Sequence, residues 1–293
     1  MKFHFEKILP GPGESFVTEK MTGPTLDCVY HVHPECELTW IESGFGSRFI
    51  GDSIEPFSAG DLVLIGGSVP HHYLTLESDS TGPEWSKTCV VKFSPAFCGR
   101  TFLELPEFEA VSQMLQEAER GLHFPEESAA EAVPLLQKLF RENGARRLLA
   151  LLELLELLSR LPRRLLSGAA IEAEAAPDER LNRVLQLIHR RLAQGRPIPL
   201  AEAAAEACLT PTAFSRYFRR ATRKRFIDYV TELKLSRAAG ELARSDRPIV
   251  EIAFESGFSN LSNFNRQFQN SRKMTPRAYR NSFRSIDLPH AKS

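Results

Sequence analysis

Two sets of residues in this chain have the types and spacing for chemistry. The first is His31-Val32-His33, followed by Glu37 and then Gly44. Positions 31, 33 and 37 share parity, so on one strand they face the same side, although Pro34 interrupts the regularity. The second set lies in the last hundred residues. Arg216, Arg219 and Arg220 sit near its start, and Asn263, Asn265, Arg266 and Gln267 near its end. Arg can read guanine, and Asn or Gln can read adenine, by paired hydrogen bonds.

The second set is carried by a repeat. Leu200–Tyr229 aligns on Val250–Tyr279 without a gap, at a spacing of 50 residues. Leu200 falls on Val250, Ala203 on Ala253, Phe214 on Phe264, Arg216 on Arg266, Phe218 on Phe268 and Tyr229 on Tyr279. A strict internal period means a duplicated structural unit. Each unit reads as helix, tight turn, helix, the layout that places a second helix in the DNA major groove.

In the first unit a helix over Leu200–Glu206 and a turn over Ala207–Thr210 precede a second helix over Pro211–Ala221. Thr210-Pro211 makes a good N-cap and N1 pair. Pro211, Thr212, Ala213, Ser215, Arg216, Arg219 and Arg220 are its candidate DNA contacts, with Phe214 and Phe218 turned to the core. In the second unit the turn is Ser256-Gly257-Phe258-Ser259, and Gly257 supplies the positive φ that a tight turn often needs. Ser259 or Asn260 caps the second helix. Asn260, Leu261, Ser262, Asn263, Asn265, Arg266 and Gln267 are the candidate contacts there, with Phe264 and Phe268 inward. A helix over about Phe226–Ala243 joins the units. It is on the order of 27 Å long, near the ~34 Å turn of B-DNA that separates successive major grooves on one face.

Charge fits this division. The chain has 37 basic and 37 acidic residues, yet from Asp178 onward there are 22 Lys and Arg against 11 Asp and Glu. The remainder holds 15 against 26. A basic module of this kind can sit on a polyanion, and the acidic one should stay off it. The five cysteines are scattered with no CxxC pair, which points to reduced thiols in a cytoplasmic protein. The N-terminus MKFHFEKILPGPG lacks an apolar signal core, and no run is long enough to span a bilayer.

Residues 1–100 read as β-rich, with strands near Glu37–Ile41, Arg48–Ile50, Asp61–Ile65 and Cys89–Phe93. Residues 107–161 switch to a helical period. Leucines at 148, 149, 151, 152, 154, 155, 157 and 158 cover most of one helix, and Glu156 can pair with Arg160. So apolar a helix must be buried on several sides, under the β-rich region or in a homodimer interface; the surplus apolar surface favours the interface. Pro162–Pro177 reads as a linker. From near Asp178, Leu181, Val184, Leu185, Ile188 and Leu192 form one helical stripe that Gly195 and Pro197 end.

The C-terminal half resembles the AraC/XylS family of bacterial transcription regulators. The resemblance rests on Pro248-Ile249-Val250-Glu251-Ile252-Ala253, Ser256-Gly257-Phe258-Ser259-Asn260, Asn263-Phe264-Asn265-Arg266-Gln267-Phe268, and Thr275-Pro276 with Tyr279-Arg280. It covers roughly Asp178–Arg284. Three departures stand out: Arg223 and Lys273 where the family usually has glycine after each reading helix, and Lys234 where it commonly has Arg. The N-terminal set, with Phe57–Ile65 leading into Val69-Pro70-His71-His72, resembles the two motifs of a cupin, a small double-sheet jelly-roll barrel. Gly66 and Ser68 stand where that motif usually has proline and glycine, and Thr75 replaces its final Asn. The cupin metal-ligand positions carry over to His31, His33, Glu37 and His71. Three imidazoles and a carboxylate suit zinc, iron, nickel or manganese; without metal they would line a pocket and hydrogen-bond an effector. Trp40, Arg48 and Trp85 are further pocket candidates.

The expected fold is α+β multidomain: a cupin-like barrel over 1–105, a helical dimerisation segment over 106–161, a linker over 162–177, and an all-α domain of two helix-turn-helix units over 178–287. The resemblances imply a sequence-specific regulator, not an enzyme, whose sensor takes a small polar effector such as a sugar or sugar derivative. Promoter DNA, RNA polymerase and a second copy of the chain are the implied partners, and one divalent transition metal the implied cofactor. The alternative is a cupin-type metalloenzyme, a dioxygenase or isomerase, with an appended helical domain.

Overall fold

The structure is a computed structural model that describes residues 8, 10–23, 31–75, 86–168 and 179–284. It divides into two compact units, one made chiefly of residues up to Glu179 and the other chiefly of Arg180–Ser293. No helix among the described residues is long and apolar enough to cross a membrane.

The first unit is an antiparallel, sheet-rich region with helices on one side. Its strands are β1 (Phe16–Gly23), β2 (Cys36–Ser43), β3 (Gly46–Ile50), β4 (Ser53–Phe57), β5 (Leu62–Ile65), β6 (His71–Thr75), β7 (Ser86–Phe93), β8 (Leu122–Phe124) and β9 (Arg164–Leu165). One sheet runs β1-β7-β2-β5-β8-β9 and the other β4-β3-β6. Alternation along β2 decides which side each residue serves. Ile41 of β2 and Val63 and Ile65 of β5 meet Ile50, Phe57 and Tyr73 of the smaller sheet in one apolar cluster. Cys36, Leu38 and Trp40 point to the other face. There they join Val91 and Phe93 in a core shared with α1 (Glu109–Glu117), α2 (Glu126–Arg141) and α3 (Gly144–Arg160).

This core changes the reading of the leucine-rich helix. Leu151, Leu154, Leu155 and Leu158 are fully buried within the chain, and Leu148 and Leu157 pack against the same cluster. Burying each such leucine contributes roughly 1.5–3 kcal/mol. Leu149 alone of the set is strongly exposed, at 62%. The apolar surplus that argued for a subunit seam is therefore covered from within, by the sheet and α1–α2. Leu155 is a core residue. The helices of 106–161 share a core with the sheet instead of forming a separate layer. Glu156 does pair with Arg160.

The linker expectation also needs correction at its start. Leu165 and Arg164 pair with Leu122 and His123, and the Leu166 and Ser167 amides donate to the Gly121 and Arg120 carbonyls at 2.9 and 2.8 Å. Composition marked this segment as loose, but the free edge of β8 offers backbone partners that composition cannot show. Residues 169–177 of the expected linker lie outside the described residues, as does Trp85.

The second unit is all helical: α4 (Glu179–Ala193), α5 (Leu200–Glu206), α6 (Pro211–Thr222), α7 (Phe226–Arg244), α8 (Ile249–Glu255), α9 (Leu261–Arg272) and α10 (Pro276–Arg284). The α4 stripe of Leu181, Val184, Leu185, Ile188 and Leu192 is buried as its spacing predicts, and Gly195 follows at φ 61°.

Candidate functional site

The two helix-turn-helix units are α5–α6 and α8–α9. Each second helix begins on a side-chain cap. The Ala213 amide donates to Thr210 Oγ1 at 3.3 Å, and the Asn263 amide to Asn260 Oδ1 at 2.7 Å. Asn260, not Ser259, is therefore the cap. Each second helix buries two phenylalanines one turn apart. Phe214 and Phe218 have ring centroids 5.5 Å apart, and Phe264 and Phe268 5.4 Å apart. Each pair is closed by a tyrosine edge: Tyr229 on Phe218 at 5.2 Å and 83°, Tyr279 on Phe268 at 5.4 Å and 81°. Edge-to-face rings of this kind add about 0.5–1.5 kcal/mol beyond burial.

The gapless alignment is right for the second helices and shifted by one residue for the first. In the first unit the amides of Ala207, Cys208 and Leu209 donate to the carbonyls of Ala203, Ala205 and Ala204. In the second, Ser256, Gly257 and Phe258 donate to Ile252, Phe254 and Ala253. Ala203 thus corresponds to Ile252, and Cys208 to Gly257. The second turn carries one extra residue, Ser259, before its cap. Both turns need a left-handed residue: Gly257 at φ 88° in one and Cys208 at φ 56° in the other. The Lys234 Nζ donates to the Gly257 carbonyl at 2.7 Å and fixes the second turn.

The outward faces are those the spacing predicts. On α6, Pro211, Thr212, Ser215, Arg216, Arg219 and Arg220 are exposed and Ala213 is half-buried. Ser215 spends its hydroxyl on the Pro211 carbonyl at 2.9 Å. Around α9, Asn260, Ser262, Asn265 and Arg266 are exposed, while Asn263 and Gln267 are half-buried. Leu261 packs against the second unit's core cluster, so its side chain serves the fold more than the surface. Asn263 Oδ1 accepts from Arg266 Nη2 at 3.1 Å and from Gln267 Nε2 at 3.3 Å. One amide thereby holds two potential base-reading side chains. Arg223 and Lys273 end the two helices in the left-handed region, both at φ 58°. These are the positions where glycine is usual, so both turns are strained while each presents an exposed cation.

The N-terminal set converges between the sheets of the first unit. His31, His33, Glu37 and His71 each offer one ligand atom, and these atoms lie within 4.8 Å of one another, all on buried residues. Glu37 Oε2 lies 3.2 Å from His33 Nε2 and 3.4 Å from His71 Nε2. Tetrahedral ligation with bonds of about 2.0–2.1 Å would put ligand atoms roughly 3.3 Å apart. The outer ring nitrogens are fixed by backbone: His33 Nδ1 meets the Glu35 carbonyl at 3.1 Å and His71 Nδ1 the Val69 carbonyl at 2.8 Å. Such bonds leave Nε2 as the inward acceptor, the arrangement that orients metal-bound imidazoles. Thr39 donates to the other Glu37 oxygen at 2.6 Å. The donor set fits a divalent transition metal.

The loop before β6 brings His71 to the cluster. Gly67 lies so close to Pro34 that a Cβ would sit 2.2 Å from its carbonyl oxygen, and the Ser68 amide donates to the His33 carbonyl at 2.7 Å. Ser68 takes φ 65° where the motif usually has glycine. Burial would raise the Glu37 pKa, but His71 and His33 beside it hold the carboxyl well below its usual range. Lys92 Nζ, 3.9 Å from Glu37 Oε2, adds a cation that sequence reasoning missed. It faces Glu37 directly across the β2–β7 ladder, a pairing not visible before the register is known. Thr39, two residues on along β2, was missed as well, although parity alone sets it on the same side as Glu37.

The other pocket candidates do not join this cluster directly. Arg48 is buried and its Nη1 donates to both Asp61 oxygens at 2.9 Å, and His123 Nε2 reaches the same carboxylate at 3.1 Å. Trp40 lies on the opposite face of the sheet, in the core shared with the helices.

A family profile described as a helix-turn-helix domain matches residues 203–282. The uncharacterized HTH-type transcriptional regulator YobQ of Bacillus subtilis is 35% identical over 75 residues, 26% of this chain and 31% of YobQ. The chain thus spans about a third of that relative's length. The regulatory protein SoxS of Escherichia coli is 31% identical over 85 residues, 29% of this chain and 79% of SoxS. An AraC-type DNA-binding structure from Chromobacterium violaceum aligns over 38% of this chain and 95% of its own, at 23% identity and a TM-score of 0.34. SoxS is matched over most of its length, and this chain belongs to the AraC family of DNA-binding transcription regulators.

Proposed function

We propose that this is a ligand-responsive regulator that binds promoter DNA through α6 and α9. Its N-terminal unit takes a small polar effector, such as a sugar derivative, at a divalent metal held by His31, His33, Glu37 and His71. The reading rests on one observation: His33 and His71 aim Nε2 at a single Glu37 oxygen while backbone carbonyls fix their other nitrogens. When bound, a divalent ion would supply a Lewis acid for the effector's oxygen atoms. The protein's part is to orient that ion through Thr39 and the two carbonyls, and to bury it among polar groups.

The test is metal analysis of purified protein beside DNA binding. Near-stoichiometric metal, lost in His31→Ala/His33→Ala together with the response to effector, is the expected result. Metal-free protein that still responds would remove the metal from the reading. Turnover that requires His31 and His33, in a protein with no specific DNA site, would favour a metalloenzyme instead.

A further inference from the structure

The face of the six-stranded sheet away from the histidines carries a second cleft. Lys20, Cys89 and Trp40 stand side by side across β1, β7 and β2, because Lys20 pairs with Cys89 and Cys89 with Trp40. Just beyond them the register slips between Ile41 and Ser43, leaving Glu42 as the extra residue of a bulge. Bulges re-aim side chains and are common beside functional sites. The end of α2 lays Gln137, Phe140 and Arg141 over this row, and together these residues line a cavity of about 200 Å³.

The walls are chemically specific. Trp40 and Phe140 supply flat apolar surface. Lys20 holds its ammonium 5.3 Å from the Phe140 ring centroid, and Arg141 adds a second cation against the single carboxylate of Glu42. Cys89 is a neutral thiol at ordinary pH, since burial pushes it up to about 11. Trp40 is 8% exposed, and its indole Nε1 is buried without a hydrogen-bond partner. The volume suits one ring with a small substituent, since an apolar cavity of about 150 Å³ binds benzene.

We propose that this cleft is a second small-molecule site, selective for aromatic carboxylates. The ring lies against Trp40 and Phe140, and the carboxylate meets Lys20 and Arg141. The site is separate from the histidine cluster, whose side chains occupy the other face, and does not depend on the metal reading.

The test is calorimetric titration of the full chain with benzoate, beside benzamide. Saturable benzoate binding is expected, with benzamide at least roughly tenfold weaker, because charge-assisted hydrogen bonds carry the selectivity. Lys20→Gln and Arg141→Gln should each weaken benzoate by about tenfold or more; both side chains are on exposed residues, so these variants keep the fold. His31→Ala/His33→Ala should bind benzoate like the parent. Absence of saturable heat at millimolar benzoate, equal binding of benzamide, or parent-like binding by either charge variant would overturn the proposal.

Discussion

In the first helix-turn-helix unit Phe214, Phe218 and Tyr229 interlock as Phe264, Phe268 and Tyr279 do in the second, with nearly the same separations and tilts. The surfaces built on this frame diverge. α6 presents Arg216, Arg219 and Arg220, whereas α9 presents Asn265, Arg266 and Gln267 around the anchoring amide of Asn263. Arginines without a side-chain tether suit phosphates, which supply affinity. Amides and an arginine held in fixed geometry suit base edges, which supply choice. The turns diverge as well. The second uses Gly257 and the Lys234 clamp, while the first forces Cys208 into the same left-handed conformation. Duplication preserved what folds each unit and freed what each unit touches.

The largest effects should be equal in the two units, because they act on the shared frame. Phe218→Ala and Phe268→Ala each remove a fully buried ring. Each should cost about 3–5 kcal/mol in denaturant unfolding. A loss of under about 1 kcal/mol for either would mean that its unit is not built on this cluster.

Acid should separate the units. His189 sits on α4, which is tied to α5 of the first unit through Arg191–Glu202 and to the connecting helix α7 through Arg237 on the Leu192 carbonyl. Burial pushes its pKa down to about 4, below the ~6.5 of an unfolded chain. The unfolded state therefore takes up a proton first. Stability is full above about pH 6.5 and falls as pH drops toward 4. The residue keeps part of its surface in solvent, so the loss should be about 2–3 kcal/mol. His189→Gln should flatten that part of the pH–stability profile. An unchanged profile would place the acid sensitivity elsewhere.

Most of the DNA-binding frame was legible in the sequence, because the 50-residue period aligned every buried aromatic of the second helices. The one-residue offset of the first helices was not, since the extra Ser259 hides in a turn of similar composition. The candidate metal set was legible from the cupin-like residues His31, His33, Glu37 and His71, although a bend at Pro34–Glu35 separates His31 and His33 from the strand that carries Glu37. Its supports were not: Lys92 and Thr39 reach Glu37 through strand pairing and strand parity together. The leucine-rich helix shows the opposite failure. Its pattern reports burial but cannot say what buries it: packing under the β-rich region was one of two alternatives, and the surplus apolar surface favoured the interface instead.

On DNA, Arg266→Ala should weaken a specific site more than random duplex, by roughly 1–3 kcal/mol. Arg219→Ala should weaken both about equally and lower the salt slope by about one. Titrations at several salt concentrations check both, and an equal loss on both DNAs for Arg266→Ala would reassign that side chain to phosphate. The smallest effects concern the strained caps. Cys208→Gly, Arg223→Gly and Lys273→Gly should each stabilise by up to about 1 kcal/mol, as a left-handed side chain is removed. Gly257→Ala should destabilise, because its Cβ would meet Lys234 Cε at 3.1 Å and φ is 88°. Thermal unfolding of the four variants measures the set.

Selection of bound duplexes from a random pool, by the parent chain and by Arg266→Ala, tests the division of labour most directly. The 19 residues of α7 make the connecting helix about 28 Å long, close to one turn of B-DNA. The expected outcome is an enriched site with a sharply defined block and a weaker block about one helical turn away, the sharp block losing its base preference in Arg266→Ala. A parent chain that enriches nothing over the input pool, or a variant that keeps the sharp block intact, would contradict it.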